Sequence, residues 1–501
     1  MIKNFKKRTA FVSMLVAFVL VFSVLVPASA GFAGTADTAV LTLPEAMKST
    51  IVSADQLSAR LTDEEPDLNT LVFENKDGTK SAYIFSKPVK YIDNAGVVRD
   101  KSNAVSESIA VSSSGKYAYA VQENDVKTYF PSKITSSSGT VLQFNGNSVE
   151  VAPVFSESNV KAANQAQKTK NGSVEYSNVF GEFTKLRYTP TFEGFKEDII
   201  LDKNIGKYSF SFVIKTNGLK AEARSDGSVA LYEKDKEVML ISPVVVYDSK
   251  GSFTRSNTIE LEKRTDGSYL YTITADKAFL DNENTAYPVT IDPSYETTLG
   301  YSAIYDTPIY SGTPSSNYGT YMLATVGYLG TSGGVNYGVG RMLLKCPTLT
   351  SSTQAFNASN ATVNSVNLYI NEGSGKAASS TVTAYYYTGS SWSETGATYN
   401  NISWNGYNTS IASATINSSK LYSYNIKAAY TAWKNGSKSV DSGLMFKNSN
   451  ESSSTYAKTF CTAEYSPTSQ RPYIVVGYST TNVTLNLDHT SYTLSYGTRL
   501  L

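Results

Sequence analysis

Lys207-Tyr208-Ser209-Phe210-Ser211-Phe212-Val213-Ile214 is the stretch that decides the fold class. Successive side chains of an extended strand point to opposite faces, so Tyr208, Phe210 and Phe212 share one face. Outward from this run, the chain after about residue 70 repeats one grammar: short Val, Ile, Tyr, Phe and Thr runs between turn signals. Leu71-Val72-Phe73-Glu74 leads through Asn75-Lys76-Asp77-Gly78 into Ser81-Ala82-Tyr83-Ile84-Phe85. Asp-Gly after a β-type run marks a hairpin, because glycine accepts the positive φ such turns need. Similar marks recur at Asn94-Ala95-Gly96, Ser113-Ser114-Gly115, Ser225-Asp226-Gly227 and Thr265-Asp266-Gly267. Helical signals are few. Residues 44–61 suit one or two short helices, with Pro44 fitting a first turn. Ile426, Ala429, Tyr430 and Trp433 fall at i, i+3, i+4 and i+7 ahead of Lys434-Asn435-Gly436, a one-sided helix that places Trp433 in a core. The expected class is all-β.

The N-terminus reads as an address. Lys3, Lys6, Lys7 and Arg8 precede an apolar run from Ala10 to Val26, and Ala28-Ser29-Ala30 supplies a small-x-small cleavage site. Cleavage after Ala30 removes four basic residues and takes the net charge from +1 to −3. The mature chain is then expected to be secreted, wall-associated or free, with no stable membrane span. The expected order is a signal peptide at 1–30, a partly helical or flexible leader at 31–69 and a β-rich region at 70–293, with a sub-boundary near 157–172. Tyr287-Pro288-Val289-Thr290-Ile291-Asp292-Pro293 marks the next boundary, after which charge nearly vanishes and Ser, Thr, Asn, Gly and Tyr dominate. A sandwich at 294–480 follows, then a remnant at 481–501.

Composition narrows the chemistry. The 501 residues include 36 Tyr but 3 Trp, 1 His and 2 Cys, so zinc sites and imidazole triads have almost no material. His489, the one histidine, falls in the remnant. With 44 basic and 43 acidic residues, the chain lacks the basic excess expected of a nucleic-acid binder. Pairs such as Glu197-Asp198 and the run Asp63-Glu64-Glu65 read as surface charge or strand-edge protection. The expectation is no enzyme, no catalytic residue, no cofactor and no nucleic-acid partner.

Six ordered motifs carry a resemblance. Asp306 with Asn317-Tyr318-Gly319 comes first, then Arg341-Met342-Leu343-Leu344-Lys345-Cys346 and Val363-Asn364-Ser365-Val366-Asn367-Leu368-Tyr369. Trp392-Ser393-Glu394 with Thr398-Tyr399-Asn400-Asn401, Trp433 to Gly436, and Arg471-Pro472-Tyr473-Ile474-Val475-Val476-Gly477-Tyr478 complete the series. Over roughly 180 residues this resembles the DNRLRE domain, a family classed with carbohydrate-binding modules, and the resemblance implies a jelly-roll β-sandwich. Ser86-Lys87-Pro88-Val89 and Gly194 to Leu201 resemble the N-terminal region of secreted wall-associated and RHS-repeat surface proteins, where that region is a β-rich stalk. The Tyr-Asp repeat array and toxin-like tail of those proteins are missing from this sequence. Val483-Thr484-Leu485-Asn486-Leu487 and Tyr492 to Gly497 look like the first strands of an incomplete bacterial Ig-like domain.

A glycan site needs exposed aromatic planes beside hydrogen-bonding groups. Tyr385, Tyr387, Trp404 and Tyr407 are the candidates, whereas Trp392 belongs to the family frame. Cys346 and Cys461 form either one bridge or two separate buried thiols. A structural Ca²⁺ suits a jelly roll of this kind, and no Asp-rich loop identifies a place for it. Two functions remain open. One is a secreted, non-catalytic surface protein whose carbohydrate-binding-type sandwich attaches to polysaccharide or wall glycan. The other is a structural or adhesive stalk presenting a C-terminal domain.

Overall fold

Phe210, Phe212 and Ile214 are fully buried along one face of the strand Ser209–Lys215, as alternation requires. The computed structural model describes residues 41–481 apart from 108–114, 156–163, 299–301, 333, 374–377, 403–408, 418–419 and 466–467. The signal peptide, the Ig-like remnant and His489 lie outside the described residues. Among the described residues, strands account for 48% and helices for 9%, all sheets pairing antiparallel, so the fold is all-β.

Two sheets enclose the first core. In one, Ser209–Lys215 lies between Tyr269–Thr274 and Asn147–Pro153. In the other, Gly194–Leu201 pairs with Thr184–Pro190 on one side and with both Val289–Asp292 and Ser294–Thr297 on the other. Phe210 and Tyr271 from the first sheet meet Tyr188, Phe195 and Tyr295 from the second in one apolar cluster. Gly227 and Gly267, at φ 85° and 83°, supply the positive φ expected at their hairpins. Val289–Asp292, inside the segment expected to mark a boundary, is therefore part of this sheet, which runs on to Thr297.

A sandwich forms the second core. Its seven-stranded sheet includes Val335–Lys345, Leu323–Ser332, Leu444–Asn448 and Ser380–Tyr386. Its six-stranded sheet runs in the order Leu57–Arg60, Thr70–Asn75, Lys80–Phe85, Tyr473–Thr480, Ala361–Asn371, Leu421–Asn425. The sheets thus divide the chain differently from the sequence. Residues 57–85, expected in the leader and the N-terminal region, complete the C-terminal sandwich. Ile84 pairs with Ile474 and Ala82 with Val476.

Strand register explains the apolar composition there. Val72, Ala82 and Ile84 face the sandwich core with Leu368 and Ile474. The alternate residues Leu71, Phe73 and Tyr83 face outward, but Met47, Leu57, Val89 and Phe192 cover them. Both faces are dry, and burial of each large apolar side chain stabilises by roughly 1.5–3 kcal/mol. Residues 44–61 supply two short 3₁₀ turns, Glu45–Ser49 and Ala54–Gln56, then the edge strand Leu57–Arg60. The helix Lys427–Lys434 packs Ala429, Tyr430 and Trp433 inward and stops at Gly436, as its pattern foretold. No helix among the described residues is long and apolar enough to cross a membrane.

Candidate functional site

Of the aromatic candidates at 385–407, Tyr385 and Tyr387 fall among the described residues, and Tyr387 is not exposed. Tyr387 is 2% exposed, packed with Trp392, Ile309, Leu343 and Met445 on the outer face of the seven-stranded sheet. Tyr385 is half-buried within its strand. Trp404 and Tyr407 lie outside the described residues. The strand ends at Tyr386, and Trp392, Ala397 and Ile402 of the following loop pack with Tyr387 and cover it.

The family-type motifs in this region hold loops together. Trp392 donates its indole N–H to the Ser442 carbonyl at 2.9 Å, with the Lys345 ammonium 4.7 Å from its ring centre. Asn317 Nδ2 donates to the carbonyls of Glu394 and Ala397 at 2.8 and 2.7 Å. A Cβ at Gly319 would stand 2.1 Å from the Glu394 oxygen, so only glycine fits that approach. Arg341 grips both oxygens of Glu451 at 2.8 Å, a bidentate pair. Cys346 and Cys461 are free, buried thiols, which removes the bridge. Burial pushes the Cys346 thiol up to about 12, so it stays protonated and inert. Among the described residues, no group of three or more His, Cys, Asp or Glu side chains is arranged to hold a metal.

The strongest polar chemistry lies where the two cores meet. Arg471 donates to Glu193 Oε2 at 2.7 Å, Glu296 Oε1 at 3.0 Å and the Tyr465 carbonyl at 2.8 Å. Glu193 and Glu296 come from the N-terminal sheets, so one guanidinium clasps both halves. Burial drives the Glu296 carboxyl up to about 7 against the pull of Arg471. Nearby, Lys87 donates to Glu464 at 3.0 Å and to Ser302 at 2.9 Å, and Asp306 accepts from the Ala463 amide at 2.8 Å. Burial, reinforced by Glu464 and Glu394, holds Asp306 well above the usual carboxylate range.

A second buried polar group sits on the central strand Gly194–Leu201. Lys196 pairs with Asp198 and with Asp292 at 3.0 Å, and donates to the Tyr247 hydroxyl at 3.0 Å. Burial would depress the ammonium, but the two carboxylates outweigh it and hold it well above its ordinary value. Glu197 points to the other face and is fully buried, its carboxyl pushed by burial up to about 8. Glu197-Asp198 is therefore interior, not surface charge, because both faces of this strand are covered. Glu65 is likewise buried, paired with Arg60 at 2.8 Å and Lys90 at 2.7 Å. Sequence reasoning missed Arg471, Glu193, Glu296 and Lys196 as a seam, since no local pattern joins positions so far apart.

No family model matches the chain. The tRNA3(Ser)-specific nuclease WapA of Bacillus spizizenii and the tRNA nuclease WapA of Bacillus subtilis are each 29% identical to it over 340 residues, 62% of this chain. The chain spans 13% of the length of these relatives. Among solved structures, the tandem CBM22 domains of Paenibacillus barcinonensis Xyn10C cover 72% of this chain and 98% of their own, at 13% identity and TM-score 0.12. An exo-β-1,3-galactanase of Phanerochaete chrysosporium covers 79% and 100% at 13% identity, also with TM-score 0.12, and neither likeness carries weight at that score. The sequence relatives overturn two expectations. The chain was read as no enzyme because histidine is nearly absent, and as having no nucleic-acid partner because its charge is balanced. Relatives named as tRNA nucleases remove both exclusions. Charge averaged over a chain and a missing imidazole do not bar nucleic-acid chemistry.

Proposed function

We propose that this chain is a stiff extracellular β-platform that holds and displays at the cell surface. One observation carries the reading: residues 57–85 close the sandwich formed by residues 302–481, while the intervening chain builds the first core. Two beads on a linker would bend at the junction. Here a shared sheet, with the buried Arg471 clasp, ties the junction twice. The DNRLRE-like motifs support attachment to polysaccharide through the sandwich, and the N-terminal resemblance to wall-associated proteins supports secretion. Nucleic acid, tRNA first, is the substrate class proposed for the whole protein on the strength of its relatives.

A reporter enzyme fused after residue 501 of the full chain tests the platform in secreting cells. Intact reporter held at the cell surface, and lost when residues 57–85 are deleted, is the expected result. Reporter released into the medium by the undeleted chain contradicts the reading.

A further inference from the structure

Between the sheet containing Gly194–Leu201 and the sandwich lies a cavity of about 490 Å³. That volume sits within the range of small-molecule sites and suits a ligand of one or two sugar rings. Tyr247, Phe253 and Tyr321 are half-buried in its lining, so ring surface faces the space. Arg255 also lines it, its guanidinium 5.1 Å from the Phe253 ring centre and 4.9 Å from that of Tyr321. The guanidinium is held beside these two rings and by the Tyr337 hydroxyl, and no carboxylate forms an ion pair with it among the described residues. On the floor, Asp292 gives one oxygen to Lys196, while its Oδ1 is buried without a hydrogen-bond partner. That oxygen keeps room for one more hydrogen-bond donor.

We propose that this cavity binds a sugar-sized, hydroxylated anion: a hydroxyl donates to Asp292 Oδ1, the apolar ring face lies on Tyr247 and Tyr321, and a carboxylate or phosphate meets Arg255. The pieces divide the labour by chemistry. Charge-assisted hydrogen bonds from a planar guanidinium favour an anion over a neutral group, and stacking favours a ring over a free ion. Lys196, engaged by Asp198, Asp292 and Tyr247, serves to hold the carboxylates in place. The site stands apart from the platform reading: a dry cavity would leave the shared sheet untouched.

Titration of the full chain with glucuronate, glucose 6-phosphate, glucose and inorganic phosphate, followed by tyrosine fluorescence and calorimetry, tests it. The expected result is that at least one sugar acid binds about tenfold or more tightly than glucose and than inorganic phosphate, a difference of the size charge-assisted bonds supply. The tighter of the two acids then names the anion. Arg255→Gln, with an unchanged melting temperature, should erase that preference. Tyr321→Leu should weaken all sugars about threefold or more and serves if the first variant does not fold. Equal binding of glucose and the sugar acids, binding of inorganic phosphate as tight as theirs, absence of saturable binding, or a preference that survives Arg255→Gln in folded protein would each overturn the proposal.

Discussion

Arg471 Nη1 donates to Glu193 Oε2 at 2.7 Å, joining two buried residues 278 positions apart. The second arm of the same guanidinium holds Glu296. Breaking the clasp takes from Glu193 its ion-pair partner and leaves Glu296 only the more distant Lys87 ammonium.

Arg471→Gln should therefore destabilise the protein by about 3–5 kcal/mol, the cost of stranding a buried partner. Urea unfolding gives the number. A loss below about 1 kcal/mol would show the clasp to be solvated and of surface type. Adding Glu193→Gln and Glu296→Gln should recover part of the loss.

Ile84 sits opposite Ile474 in the shared sheet, fully buried in the sandwich core. Ile84→Ala should cost about 2–5 kcal/mol, the range for truncating a core aliphatic. Denaturant unfolding followed at Trp433, which lies in the same cluster, should report that loss. An unchanged midpoint would detach residues 57–85 from the sandwich.

Glu197 gives a pH signature. Its carboxyl is raised by burial from 4.5 to about 8, with Asp198 and Asp292 adding to the rise. The unfolded chain releases this proton near 4.5 while the native chain keeps it to about 8. The contribution is thus complete below 4.5 and lost as pH rises through 8, on the order of a few kcal/mol. Melting curves from pH 5 to 8 should fall more steeply for the wild type than for Glu197→Gln. Parallel curves would refute a neutral buried carboxyl.

The two thiols should be silent in the native protein. Cys346 and Cys461 are free and buried, so a thiol reagent should modify neither before unfolding and both after it. Recovery of a linked Cys346–Cys461 peptide under non-reducing conditions would contradict the free thiols.

Local pattern was readable and distant pairing was not. Phe210, Phe212 and the helix ending at Gly436 obey periods of two and 3.6 that need only a few neighbouring residues. The turn glycines Gly227 and Gly267 announce themselves for the same reason. By contrast, nothing near Ile84 says that its partner is Ile474, so the sandwich was drawn without its first strands. The Tyr385-Tyr386-Tyr387 run shows the limit of alternation. It fixes that neighbours part company, but not that a loop covers Tyr387. Glu197-Asp198 misled because charge marks a solvated face only when one face of the strand is free.

Hydrogen exchange on the native full chain tests the shared sheet most directly, by comparing the amides of Lys80–Phe85 with those of Tyr473–Thr480. The two strands exchange backbone hydrogen bonds along their length, from Lys80 opposite Tyr478 to Phe85 opposite Tyr473. They should open together, with protection equal within about tenfold. Rapid exchange of Lys80–Phe85 beside full protection of the inner strand Ala361–Asn371 would contradict the platform.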